Sequence, residues 1–188
     1  MTSRAMAKGG SRNPGGSSQA GGPARVPPNL RRFLLVFAVC LAIGFGLLSV
    51  PVSQPVVGRS TAVLVKVCAF LVRISGGHAA AHQNLLRNPV TGFQIAVEDT
   101  CNASNVVILL CAAILAFPAG WRQKLKGIAI GTLLLHALNL VRIISLFYLG
   151  QYSASWFEFS HLYVWEGLMM VFTLVLFWVW VQELSSPA

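Results

Sequence analysis

Four stretches of the chain stay apolar for close to the ~20 residues a bilayer core requires, roughly 33 to 50, 102 to 118, 127 to 149 and 162 to 181. The segment between the first two is patterned differently. In "VVGRSTAVLVKVCAFLVRIS" (56 to 75) the cations Arg59, Lys66 and Arg73 recur every seven residues, which keeps them within ~40° on one helical face among Val, Leu, Cys and Phe. This pattern predicts an amphipathic helix lying on the membrane interface, with a short hairpin of spans as the alternative. In "HAAAHQNLLRNPVTGFQIAVE" (78 to 98) the turn residues of "NPVTG" sit between "QNLLR" and "FQIAV", two candidate short strands. The expected fold is an all-α integral membrane protein: about four transmembrane helices, one amphipathic interfacial helix and a small extracytoplasmic hairpin.

Residues 1 to 29 are rich in Gly, Ser, Pro and basic residues with almost nothing to bury, so they read as a disordered basic tail, and 30 to 188 as one membrane-embedded domain. A cleaved signal peptide is not expected, because the apolar run after Arg31 and Arg32 is long enough to span and lies far from the start. The 188 residues are 55% hydrophobic and 10% charged, outside the range of soluble domains. A formal charge of +9 can signal nucleic-acid binding. Here the cations sit in the tail, at span ends and in the short "AGWRQKLKG" (119 to 127), as topology signals do, and no nucleic-acid partner is expected.

The positive-inside rule puts the tail and Arg122, Lys124 and Lys126 on the cytoplasmic side. Parity then fixes the rest: the first span runs outward, the second starts outside after Cys101 and runs inward, and the third runs outward again. Cys101 thus falls at the outer mouth of the second span. Arg142 falls about seven residues below the outer end of the third, or ~10 Å. His161 falls where the fourth span re-enters. Cys40, Cys68 and Cys111 lie inside apolar segments as packing groups, and Cys101 is ~15 Å along a helix from Cys111, too far for a disulfide.

Each of the three residues has an ordinary role open to it: a structural cysteine, an interfacial histidine, a paired arginine. An arginine within an apolar span is nevertheless expensive and marks a functional or paired site. Together the three supply the parts of a thiol enzyme. A thiol must ionise to attack a carbonyl, and a helix start or a nearby cation favours the thiolate. His161 would act as base and then as acid toward the leaving amine, and Arg142 would stabilise the oxyanion or the thiolate.

"CNAS" at the head of one span, "NLVR" (139 to 142) late in the next and "SHLYVWEG" (160 to 167) entering the last resemble the signature regions of the exosortase and archaeosortase family, over about residues 33 to 182. The small size and the "DTCNAS" context are most similar to the exosortase H branch. The resemblance implies a cysteine peptidase or transpeptidase of the bacterial inner membrane, multi-pass, its site facing the periplasm. Its substrates would be membrane-anchored proteins with C-terminal sorting signals of the PEP-CTERM type. Cys101 would be the nucleophile that forms a thioacyl intermediate, Arg142 and His161 would complete the site, and a lipid or polysaccharide would accept the product. No cofactor is implied. Where the family has a small pair ending in Gly after the cysteine, this chain has Asn102 and Ala103.

Asn139, one turn before Arg142, either orients it or bonds between helices. Glu166 is expected to pair with Arg142; orienting His161 and remaining protonated are its other roles. Glu98, Asp99 and Glu158 read as solvated loop acids. His136 points away from Arg142, and His78 with His82, though spaced i, i+4, lack a third ligand, so no metal is expected. The competing reading is a non-enzymatic transporter or assembly subunit in which Arg142 and Glu166 form a structural ion pair. Membrane-impermeant thiol labelling from the outer side is predicted to modify Cys101 and spare Cys111; the reverse pattern would invert the topology.

Overall fold

The computed structural model describes residues 30 to 50, 54 to 98 and 103 to 185. Cys101, Asn102, Asp99 and the basic tail lie outside the described residues. The chain divides into Met1–Leu30 and Arg31–Ala188, and the architecture here is that of the second unit. Its elements are α1 (Leu30–Ser49), α2 (Gln54–Ile74), β1 (Ala80–His82), β2 (Leu85–Arg87), β3 (Gln94–Ala96), α3 (Ser104–Ala116), α4 (Trp121–Tyr152), α5 (Ala154–Phe159), a π-helical turn (Ser160–Val164) and α6 (Trp165–Ser185).

Among the described residues, three helices are long and apolar enough to cross a bilayer: Leu30–Ser49, Trp121–Tyr152 and the continuous Ala154–Leu184. The second apolar stretch forms α3, whose 13 residues span ~20 Å, less than a hydrocarbon core. Pro118 ends it early: the residue before a proline avoids helical ψ, and Phe117 is extended at φ −72°, ψ 140°. The inner cations also sit differently from the expected loop. Gly120 starts α4, its N–H donating to the Gln123 side chain at 3.1 Å. Arg122, Lys124 and Lys126 thereby ride on the first turns of α4. Lys124 donates to the carbonyl of Leu115 at 2.7 Å, satisfying one of the open carbonyls at the end of α3.

α4 runs antiparallel to both α3 and α6, and the three pack into a core around Leu110, Ile114, Leu135, Met169 and Trp180. Two glycines one turn apart on α4 set the close approach. Gly131 lies against Leu110 of α3 and Gly127 against the Trp180 ring of α6, with no room at either for a Cβ. The Trp180 indole N–H also donates to the Gln123 carbonyl at 3.1 Å, so the ring cannot simply swing aside. α1 stands apart with no buried residue, touching α3 where Gly44 meets Ile108.

A second core lies toward the C-terminal end of α4, where α2 and the sheet meet Ile143 and Phe147. α2 has the expected amphipathic character but three faces rather than two. Val65, Cys68, Ala69 and Val72 are buried against the sheet. Val63, Phe70 and Ile74 are exposed, and Arg59, Lys66 and Arg73 run between these faces, also exposed. Burial pushes the Cys68 thiol up to about 12, which keeps it protonated and inert.

The hairpin expected from the sequence is a three-stranded antiparallel meander in the order β1-β2-β3. Its second and third strands lie within "QNLLR" and "FQIAV"; the additional β1 comes from "AAH", whose alanines gave no strand signal. His82 is therefore on a strand, so the helical i, i+4 geometry considered for His78 and His82 does not exist. The turn is built by Asn88, whose side-chain oxygen accepts from the N–H groups of Val90 and Thr91. Its amide also donates to Gln151 at 2.6 Å, which fastens the sheet to the last turn of α4.

Candidate functional site

α4 carries the most unusual residues in the membrane core. Asn139 is fully buried and Arg142 is 6% exposed, one turn apart on the same face. Arg142 Nη2 lies 3.8 Å from Glu166 Oε2 on α6, so the pair expected from the sequence is present. It is a loose pair, longer than the ~2.8 Å of a charge-assisted hydrogen bond. The Glu166 side chain is 65% exposed, so one end reaches the open side of the bundle while the guanidinium stays inside. Among the described residues, Arg142 Nε and both polar atoms of the Asn139 amide have no hydrogen-bond partner. Buried polar groups are paired almost without exception, and an unpaired one costs ~1–3 kcal/mol.

His161 sits in the π-helical turn, half-buried. This turn was not legible in "SHLYVWEG", and it changes which residues share a face. In a regular α-helix residues five apart differ by ~140° in direction, whereas i→i+5 hydrogen bonding stacks them. The Trp165 N–H donates to the Ser160 carbonyl in this way. His161 and Glu166 are thereby turned toward the same side, and the charges of Arg142, Glu166 and Glu98 all act on the imidazole. The ring stacks on Phe157 with centroids 5.7 Å apart and planes at 11°.

A cavity of about 390 Å³ opens beside His161, between β3 and α5. Phe93, Phe157 and Glu98 line it, and the absence of a side chain at Gly150 lets Phe93 approach α4. Glu98 is exposed, as a loop acid should be, yet it belongs to this cavity. A larger cavity, about 490 Å³, lies at the opposite end of α4 and α6 around Gly127 and Trp180, and none of these polar residues reaches it.

The sequence candidates thus fall into two sets. Arg142, Asn139, Glu166 and His161 come together where the C-terminal half of α4 meets the start of α6. Cys101 lies outside the described residues, three positions after Glu98 and two before Ala103. Ala103 itself is buried in the membrane core and precedes α3 with φ 60°, ψ 3°. This left-handed conformation costs a residue with a Cβ ~1–2 kcal/mol and favours glycine. It coincides with the position where the resemblance expected Gly. His136 borders a separate recess with Arg59 and Leu140 between α2 and α4.

Apolar helices of bilayer length closing around a buried arginine define a multi-pass integral membrane protein. The chain belongs to the family described as Transmembrane exosortase (Exosortase_EpsH), which matches residues 30–180. No curated protein and no solved structure matches it.

The geometry at Ala103 makes a stability prediction. Ala103→Gly should raise the thermal midpoint in detergent, by a gain of about 0.5–1 kcal/mol after the greater unfolded-state entropy of glycine is allowed for. A lowered midpoint would show that the buried methyl contributes more than the backbone strain costs.

Proposed function

We propose that the protein is a membrane cysteine transpeptidase of the bacterial inner membrane, acting at the periplasmic surface on exported proteins with C-terminal sorting signals of the PEP-CTERM type. Residues 30–188 are its catalytic domain and residues 1–29 a cytoplasmic tail. The observation that carries this reading is the set of polar atoms on Asn139 and Arg142 that have no partner among the described residues. A guanidinium needed only for an ion pair has no use for a second buried amide left unsatisfied beside it. A site that receives a carbonyl and its developing oxyanion does.

In this reading His161 takes the proton of the Cys101 thiol, and the thiolate sulfur attacks the carbonyl carbon of the scissile peptide. Arg142 holds the resulting oxyanion, with Asn139 beside it. The tetrahedral intermediate collapses as His161 returns the proton to the leaving amine, which departs with the anchor helix of the substrate. His161, neutral again, takes the proton of a hydroxyl or amine of a lipid or polysaccharide acceptor as that group attacks the thioester on Cys101; the C–S bond breaks, and the departing thiolate recovers the proton from the imidazolium. Glu166 positions the guanidinium and shares a face with His161. No cofactor enters these steps.

The Arg142–Glu166 pair itself more directly favours a second reading, a non-enzymatic membrane protein in which these charges hold α4 to α6. The two readings part at Cys101. The enzyme reading predicts that Cys101→Ala reduces processing of a co-expressed sorting-signal substrate to background, with the thermal midpoint unchanged. Because Glu166 is largely exposed, Glu166→Gln should change stability by no more than about 1 kcal/mol while slowing processing. Undiminished processing in Cys101→Ala, or a large loss of stability in Glu166→Gln without any effect on processing, would favour the structural reading.

A further inference from the structure

Among the described residues, the sheet has an edge on which no strand pairs. β1, at one side of the meander, packs against α2. β3 is the other edge, and its pairing determines which backbone groups it offers. Leu86 lies opposite Ile95, and ladder bonds from Asn88 N–H to the Phe93 carbonyl (2.7 Å) and from Val97 N–H to the Asn84 carbonyl (2.8 Å) bracket the strand. In an antiparallel pair every second residue bonds inward, so Phe93, Ile95 and Val97 face β2. The N–H and C=O groups of Gln94 and Ala96 consequently point away from the sheet. Both residues are exposed, and both border the cavity that ends at His161.

Folded proteins usually blunt such an edge with a lysine, a proline, a bulge or a covering element. β3 is blunted only by its length of three residues, which matches the cavity beside it; among the described residues it has no lysine, proline, bulge or covering element. The set of groups presented, donor and acceptor on alternate residues, is complementary to one kind of partner: another extended backbone. The opposite wall supplies Phe157 for an apolar side chain and His161 for the chemistry.

We propose that β3 is a docking strand on which an extended peptide segment pairs through Gln94 and Ala96, so that its following peptide bond is delivered to His161. The occupant is the stretch of a membrane-anchored protein just outside its anchor helix. Side chains of such a segment alternate between the cavity and the solvent, and recognition therefore reads every second residue. The inference rests on the peptide-processing reading, but it concerns binding and is separable from turnover.

The test uses the full-length protein in membranes, with Cys101→Ala to prevent turnover and Gln94→Cys as a probe. Single cysteines are placed at successive positions of the segment that precedes the anchor helix in a co-expressed substrate. Oxidation should trap disulfides at alternate substrate positions. Ala96→Pro removes an outward N–H without touching the ladder, which an edge strand tolerates, and should lower the yield about three- to tenfold. Capture without alternation, capture insensitive to Ala96→Pro in a protein of unchanged thermal midpoint, or no capture at all would overturn the proposal. Alternating capture would support it even where the Cys101 protein proves unable to process the substrate, and processing without capture would leave the enzyme reading standing while removing the docking strand.

Discussion

A guanidinium inside an apolar helix bundle is the constraint around which one half of this molecule is organised. Arg142 cannot shed its charge, and only part of its hydrogen-bonding capacity is met. Glu166 reaches it from α6 at 3.8 Å, and Asn139 lies one turn away. An apolar side chain at position 142 would fill the same space without these demands. Retaining an arginine there requires α6 to bring a carboxylate to this depth, and the π-helical turn just ahead of α6 sets the direction in which that carboxylate and His161 face. The close contacts at the other end of the bundle, where Gly127 and Gly131 admit Trp180 and Leu110, hold α4 against its two neighbours.

Much of this was legible in the sequence, for reasons that differ from element to element. Apolar runs announce bilayer-length helices because hydrophobic length is read additively, and an arginine within one stands out by its cost. The pairing of Arg142 with Glu166 followed from the same scarcity: a lone carboxylate and a lone guanidinium at one depth have few other partners. α2 was legible as amphipathic, but its three-way division depends on a sheet that it packs against. The strand from "AAH" was invisible, because alanine prefers helix and only pairing with β2 makes these residues extended. The length of α3 was overestimated where Pro118 halts a run that hydropathy alone would continue.

The π-helical turn was the largest omission, since no local composition encodes it. What remained in the sequence was a spacing that made little sense on an α-helix: His161 and Glu166, five apart, would face different ways. The left-handed Ala103 is a related case. A glycine would have flagged the conformation, and an alanine in its place conceals it. Both irregularities lie at helix starts, beside the residues whose orientation matters most to the proposed chemistry.

The central claim is that this buried charge serves a covalent reaction at Cys101 rather than holding two helices together. Intact-mass spectrometry of the protein purified after co-expression with a sorting-signal substrate tests it most directly. The account predicts an adduct equal to the amino-terminal product joined through a thioester, released by neutral hydroxylamine and mapped to Cys101. A chain that carries no such adduct while the substrate is nonetheless processed, or an adduct that maps to another residue, would contradict it.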